Sequence, residues 1–134
     1  MKVLSIRQPW AYLIAEGAKD IENRTWATNY RGPVLIHAGK TPARQDELVK
    51  LLHKELRAGG IDPTKFDRGG IVGMATITDC VDDSDSEWFF GPYGFVLTNP
   101  RPLPFYPMDG RLGLFDPSPD LAKWVREQLR KDGK

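Results

Sequence analysis

The stretch Gly17–Arg24, GAKDIENR, decides how this chain is interpreted, because it concentrates charge directly after an amphipathic helix. It places a lysine, a carboxylate and an arginine at Lys19, Glu22 and Arg24. If the chain is extended beyond Lys19, strand alternation puts Asp20, Glu22 and Arg24 on one face. Such a cluster either holds a polar planar ligand through charge-assisted hydrogen bonds or shifts a pKa for chemistry. The alternative is a solvated ion pair at an exposed helix end.

The pattern on either side of this stretch predicts short strands separated by helices and by many Pro and Gly turns. Gly17 suits the position that follows a helix end, and Gly73 suits a bulge in the longest strand. Four prolines between 99 and 107 indicate an edge or an irregular crossing rather than a central strand. These features favour a small mixed barrel over a doubly wound parallel sheet. The predicted strands are 2–6, 33–38, 69–81 and 93–98, and the predicted helices are 9–17, 42–57 and 120–131.

Several motifs along the chain together resemble the ASCH domain family over about residues 1–116. They are IRQPWA at 6–11, Gly-x-Lys-x-x-Glu-x-Arg at 17–24, Trp26, YRG at 30–32, IHAGK at 36–40, GPYGFVL at 91–97 and GRLGLF at 110–115. The resemblance implies an α+β fold, a small mixed β-barrel of the PUA-like kind with flanking helices. It also implies that the charged segment lines a cleft at the barrel. We expect one ASCH-like domain over 1–134, closed by the C-terminal helix at about 120–131.

The resemblance to the ASCH family implies three alternative functions. Family members mostly bind RNA or nucleobase derivatives, which favours a binding module. Others are amidohydrolases that cleave N4-acylated cytidines, for which Lys19 and Glu22 would be catalytic here. Those enzymes carry a threonine nucleophile three residues after the lysine, where this chain has Glu22. The third alternative is a metal-assisted ribonuclease, in which Glu22 and the carboxylates of 82–87 would converge on one ion.

The candidate binding residues surround the charged motif. Trp26 follows the motif in a polar segment, so stacking on a base and packing in the core are both open. Lys40 is placed to contact a phosphate, and Ser5 and Gln8 are placed to bond a base edge. The full set of predicted ligand-binding residues is Ser5, Gln8, Arg24, Trp26, Tyr30 and Lys40.

Two residues whose side chains could take part in catalysis or metal binding are assigned structural roles instead. His37 has no Ser, Asp or Cys partner at a recognisable spacing, so we expect a histidine satisfied within the fold. Cys80 lies among apolar and β-branched residues and is expected to be an inert buried thiol. We therefore predict no metal and no cofactor, and the chain has neither a phosphate-binding loop nor a dinucleotide-binding glycine pattern.

Composition sets the remaining expectations. The 134 residues are 40% hydrophobic and 28% charged, which suits one globular domain. The net charge is only +1, but lysines and arginines concentrate in 1–60 while 79–87 is acidic. This distribution favours a single-stranded RNA or a modified nucleoside over a long duplex as the partner. No segment has the length and hydrophobicity of a membrane span, so a cytoplasmic protein without membrane contact is expected. The oligomeric state stays open.

Overall fold

Six strands form one mixed, curled sheet, a half-barrel, with two helices against it. The computed structural model describes residues 1–44, 46 and 66–133. The strand order is β2-β5-β4-β3-β1-β6, in which β1 and β3 are parallel and the other neighbours are antiparallel. The elements are β1 (Lys2–Ile6), α1 (Trp10–Ala15), β2 (Ile21–Arg24), β3 (Gly32–Ala38), β4 (Gly70–Val81), β5 (Tyr93–Pro107), β6 (Leu114–Phe115) and α2 (Pro119–Gly133). The predicted α+β class, a small mixed barrel with flanking helices, is thus confirmed, and the barrel takes the form of a half-barrel.

The two faces of the sheet bury two separate apolar clusters, because side chains alternate along each strand. On β1, Leu4 and Ile6 belong to the cluster that also contains the buried side chains of α1. Val3 belongs to the other cluster, together with Leu121 and Val125 of α2. Each helix therefore covers its own face of the sheet. The residues at the strand ends are left available to form a site.

Strands β4 and β5 depart from regular pairing where the sequence predicted irregularity. Their register shifts between Ile71 and Gly73, which confirms the bulge expected there. The strand predicted over 93–98 is too short, because β5 continues to Pro107. Strand β2 pairs with β5 only from Tyr93 to Val96, so the proline-rich half of β5 has β4 as its one strand neighbour among the described residues.

The remaining helical predictions have different outcomes. The C-terminal helix is present as α2, and the Ser118 hydroxyl caps it by accepting from the Leu121 N–H at 3.1 Å. Most of the helix predicted over 42–57 lies outside the described residues. Among the helices that the structure describes, none combines the length and the hydrophobicity needed to cross a membrane.

Candidate functional site

The end of α1 places Lys19 inside the protein. Gly17, with φ of +88°, ends the helix in the left-handed conformation that favours glycine. Its N–H bonds the Ile14 carbonyl at 3.1 Å, and the Ala18 N–H bonds the Leu13 carbonyl at 2.9 Å, the two bonds of a Schellman motif. The Lys19 N–H reaches the same Leu13 carbonyl at 3.1 Å. The chain is therefore held against the helix end as it enters β2.

Lys19, Glu22 and Arg24 form one continuous row of ion pairs. Lys19 Nζ lies 3.3 Å from Glu22 Oε1 and also donates to the Ile21 carbonyl. The other carboxylate oxygen, Glu22 Oε2, accepts from Arg24 Nε at 3.0 Å and also lies 3.0 Å from Arg24 Nη2. The side chains are 2%, 9% and 22% exposed in that order. This burial excludes the alternative of a solvated ion pair at a helix end.

Burial dominates the electrostatics of the row. It lowers the pKa of Lys19 from its ordinary value, because the charged ammonium loses its hydration. The charge and hydrogen bond of Glu22 oppose that shift, while the positive charge of Arg24 adds to it. Two cations share one carboxylate when Lys19 is protonated, so the row carries an excess positive charge. It suits an anionic or electron-rich ligand, and its amine loses a proton more easily than an exposed lysine.

The row faces a cavity of about 730 Å³. Trp26, also on this cavity, is half-buried and packs edge-on against Phe95, with ring centroids 5.2 Å apart and planes at 72°. Phe90 lines the cavity too and is 53% exposed. Charged and aromatic groups thus meet on one concave surface. The lining residues are Ser5, Arg7, Trp10, Lys19, Glu22, Asn23, Arg24, Thr25, Trp26, Phe90 and Gly91.

Asn23 fixes the cavity wall formed by the segment around Phe90. Its Nδ2 donates to the Trp88 carbonyl at 2.9 Å. Its Oδ1 accepts from the N–H groups of Phe90 and Gly91 at 2.8 and 3.0 Å. Strand alternation correctly separates Asn23 from its charged neighbours, but its partners lie more than 60 residues away along the chain. No local pattern signals such a contact.

The structure brings most of the predicted site residues together. Lys19, Glu22, Arg24 and Trp26 all line the cavity, and so does Ser5, whose carbonyl oxygen accepts from Arg24 Nη2 at 2.6 Å. The other lining residues were not predicted as ligands, and one of them, Trp10, is only 5% exposed.

Three predicted ligand-binding residues lie outside this cavity. Gln8 is 1% exposed, and its amide is used within the fold by the Asp67 carbonyl and the Tyr12 N–H, both at 2.9 Å. The Tyr30 hydroxyl donates to the Pro33 carbonyl at 2.6 Å. Lys40 is exposed and pairs with Asp109 at 3.4 Å. Gln8 and Lys40 have partners 59 and 69 residues away, whereas the partner of Tyr30 is only three residues away.

His37 has the structural role expected for it. The ring is 2% exposed, and Nε2 lies 2.8 Å from the Met108 carbonyl. Because a carbonyl only accepts, Nε2 carries the proton, and in the neutral ring Nδ1 accepts from the Ser5 hydroxyl at 2.9 Å. Within residues 1–44, 46 and 66–133, no three His, Cys, Asp or Glu side chains come close enough to hold a metal ion. The convergence of Glu22 with the carboxylates of 82–87 is therefore not observed there.

Comparisons with known proteins agree on a family and a fold. The family model described as the ASCH domain matches residues 4–128. Activating signal cointegrator 1 of Homo sapiens and that of Mus musculus are each 26% identical to this chain over 143 aligned residues, which include 98% of it. The chain spans about a quarter, 25%, of the length of these two relatives.

Solved structures extend the comparison at the level of the fold. Crystal structures of a tyrosine-to-phenylalanine and a serine-to-alanine variant of an ASCH protein from Zymomonas mobilis align with TM-scores of 0.61 and 0.57. Each alignment covers 94% of this chain, and they cover 96% and 94% of the respective matched chains. Sequence identity is 13% and 14%, so the likeness concerns the fold alone.

Proposed function

The chain belongs to the ASCH domain family, and on that premise we propose that its cavity binds a nucleobase carried by single-stranded RNA or by a modified nucleoside. The observation that carries the proposal is the buried row of Lys19, Glu22 and Arg24 beside Trp26 on one cavity. Building a buried row of three charges costs desolvation energy. Because the row opens onto a cavity rather than into the core, this cost supports a role in ligand binding.

The aromatic side chains of the cavity suit a flat ligand. Trp26 is held by its edge-on contact with Phe95, so its ring keeps one orientation. Stacking of a base on an aromatic ring contributes about 1–3 kcal/mol and tolerates any base, because every base has a π-face. The cavity volume of about 730 Å³ lies within the range usual for small-molecule sites.

Charge around the cavity favours a short partner over a long duplex. The row supplies one excess positive charge, and Arg7 adds another to the lining. A net charge of +1 is low for a protein that binds a long duplex through continuous phosphate contacts. We expect a modest salt dependence of RNA binding, from about two to four phosphate contacts.

The test measures binding of short single-stranded RNA, of duplex DNA and of nucleosides by fluorescence anisotropy and thermal shift. A ligand specific for the folded state, at 100 times its dissociation constant, raises the free energy of unfolding by about 2.7 kcal/mol. Lys19→Ala is expected to lose this response. Lys40→Ala is the matched control, since it removes a lysine that lies outside the cavity.

Three results would contradict the proposal. They are equal loss of binding in both lysine variants, tight duplex binding with a steep salt slope, and no binding of any nucleic-acid component. Unchanged affinity of a folded Lys19→Ala protein would also contradict it, because the row would then not contribute to binding. Circular dichroism of both variants establishes that the fold is intact.

One observation favours a second candidate, hydrolysis of an N4-acylated cytidine. Burial lowers the pKa of Lys19, so this amine is better suited than an exposed lysine to take a proton from an attacking water. Water would then attack the acyl carbon, and the cytidine amine would leave with a proton. Liquid chromatography of N4-acetylcytidine incubated with wild type, Lys19→Ala and Glu22→Gln tests this. Wild-type turnover no faster than that of Lys19→Ala would leave binding as the function.

A further inference from the structure

The acceptor groups of the cavity side chains are largely occupied. Both oxygens of Glu22 accept from cations, Oε1 from Lys19 and Oε2 from Arg24 Nε, and Oε2 also lies 3.0 Å from Arg24 Nη2. The Asn23 carbonyl oxygen accepts two backbone N–H groups of the 88–91 segment. A ligand that offers hydrogen-bond donors to these side chains therefore meets oxygens that are already engaged.

The donor groups have capacity left. A protonated Lys19 has three N–H groups, of which two are used by Ile21 and Glu22. Arg24 uses Nε and Nη2, and in the part of the chain that the structure describes Nη1 makes no hydrogen bond. The indole N–H of Trp26 is a further donor. The hydroxyl of Thr25 can act either way.

We propose that this cavity selects a base edge composed of acceptors, a carbonyl oxygen beside a ring nitrogen with a free lone pair. Cytosine presents such an edge with O2 and N3, and guanine with O6 and N7. Adenine presents an amine beside its ring nitrogens. An amine that faces the Lys19 ammonium and the Arg24 guanidinium leaves donors on both sides unpaired, and unpaired buried donors weaken binding.

A base edge fits these donors better than a phosphate does, although a phosphate also presents only acceptors. Lys19 and Glu22 are buried at the inner end of the row, while Trp26 and Phe90 flank the cavity with apolar ring surface. A tetrahedral, strongly hydrated phosphate gains nothing from those rings. A planar base uses rings and donors together. The inference rests on the nucleobase binding proposed above and adds the choice among bases.

The decisive comparison is inosine against adenosine, measured by isothermal titration calorimetry with the full chain at neutral pH. The two nucleosides share ribose and ring shape and carry no phosphate. Inosine has a carbonyl at position 6 and an N–H at position 1, where adenosine has an amine and a ring nitrogen with a free lone pair, and both keep N7 as an acceptor. We expect inosine to bind at least tenfold tighter than adenosine, and cytidine also to bind tighter than adenosine. Inorganic phosphate added in excess is expected not to displace inosine.

Two variants connect the preference to its source. Arg24→Gln replaces the guanidinium by an amide that both donates and accepts, so the inosine to adenosine ratio is expected to fall towards one. Arg126→Gln is the matched control, because it makes the same exchange at an exposed residue of α2 outside the cavity and is expected to keep the ratio. Thermal unfolding of Arg24→Gln shows whether the fold survives, and the wild-type ratio tests the proposal in either case.

The possible failures are distinguishable. Equal affinity for inosine and adenosine overturns the acceptor-edge selection and leaves nucleobase binding in place. Displacement of inosine by inorganic phosphate also overturns it, because the donors then bind phosphate. Absence of binding by every nucleoside and every short RNA overturns the proposed function and this inference together.

Discussion

Arg24 Nη2 donates to the carbonyl oxygen of Ser5 at 2.6 Å, and this bond joins two strands that are not neighbours in the sheet. Arg24 ends β2 at one side of the strand order, and Ser5 lies on β1 near the other side. The hydrogen bond therefore crosses the gap that the curled sheet leaves open. The cavity lies at the same place, since both residues line it. One guanidinium thus holds the half-barrel across its opening and offers its remaining N–H groups to a ligand.

Glu22→Gln is expected to lower the free energy of unfolding by about 3 kcal/mol, because it leaves the buried Lys19 ammonium without its anion. Urea denaturation of both proteins measures the difference. Lys2→Ala is the control, because the Lys2–Asp116 pair at 2.8 Å is exposed and its loss is expected to leave the urea midpoint unchanged. Equal effects of the two substitutions would show that burial of the row contributes nothing.

Lys19 predicts a particular dependence of stability on pH. Its pKa in the folded protein is lowered below the ordinary 10.5 by burial. Between that lowered pKa and 10.5 the unfolded chain holds a proton that the folded chain has released, so this group makes stability rise with pH. Urea titrations across that window are expected to give a more positive slope for wild type than for Lys19→Met. Parallel curves would contradict the lowered pKa.

Asn23→Asp is expected to weaken nucleoside binding about tenfold, or about 1.4 kcal/mol, by loosening the cavity wall. The new carboxylate still accepts from Phe90 and Gly91, but it no longer donates to the Trp88 carbonyl and repels that oxygen. Asn29→Asp, at an exposed position outside the cavity, adds the same charge as a control. Calorimetric titration of nucleoside with both variants distinguishes loosening of the cavity wall from the effect of an added negative charge. Equal weakening by both substitutions would assign the effect to charge alone.

Gly110→Ala is expected to destabilise the fold by about 1–3 kcal/mol through overpacking. A Cβ at this position would collide with the Ser5 hydroxyl oxygen and lie 2.7 Å from His37 Cε1, and both side chains are fixed by hydrogen bonds. Gly39→Ala is the control, since the nearest atom to its Cβ, the Ile6 carbonyl oxygen, is 4.0 Å away. Thermal unfolding of both variants is the measurement. An unchanged melting temperature for Gly110→Ala would show that the neighbouring segment moves aside freely.

The row of Lys19, Glu22 and Arg24 was predictable, because the residues that determine its arrangement are close together in the sequence. A glycine at the helix end followed by charges at Lys19, Glu22 and Arg24 specifies a turn into a strand and puts alternate side chains on one face. The bulge at Gly73 was predictable for the same reason, since an isolated glycine in a strand pattern signals it. Burial of the row follows from the whole fold and not from these spacings.

Two of the residues that lie outside the cavity, and one lining residue that was not predicted, have partners that are distant in sequence, whereas the Tyr30 hydroxyl bonds Pro33, three residues away. Gln8 was placed in the site because nothing near it announces Asp67, 59 residues away. The same holds for Lys40 and Asp109, 69 residues apart. Asn23 was missed because its partners lie in the 88–91 segment. The single-domain extent over 1–134, the 42–57 helix and the cytoplasmic location stay predictions.

The prolines of β5 have a consequence for encounters between copies of the chain. Pro100, Pro102 and Pro104 alternate along the half of β5 whose only described strand neighbour is β4. Residues two apart direct their backbone groups to the same side of a strand, and proline has no N–H to donate. This stretch therefore lacks three backbone donors, which makes it a less regular template for a strand from another molecule. At the opposite end of the sheet, β6 offers only two residues for such pairing.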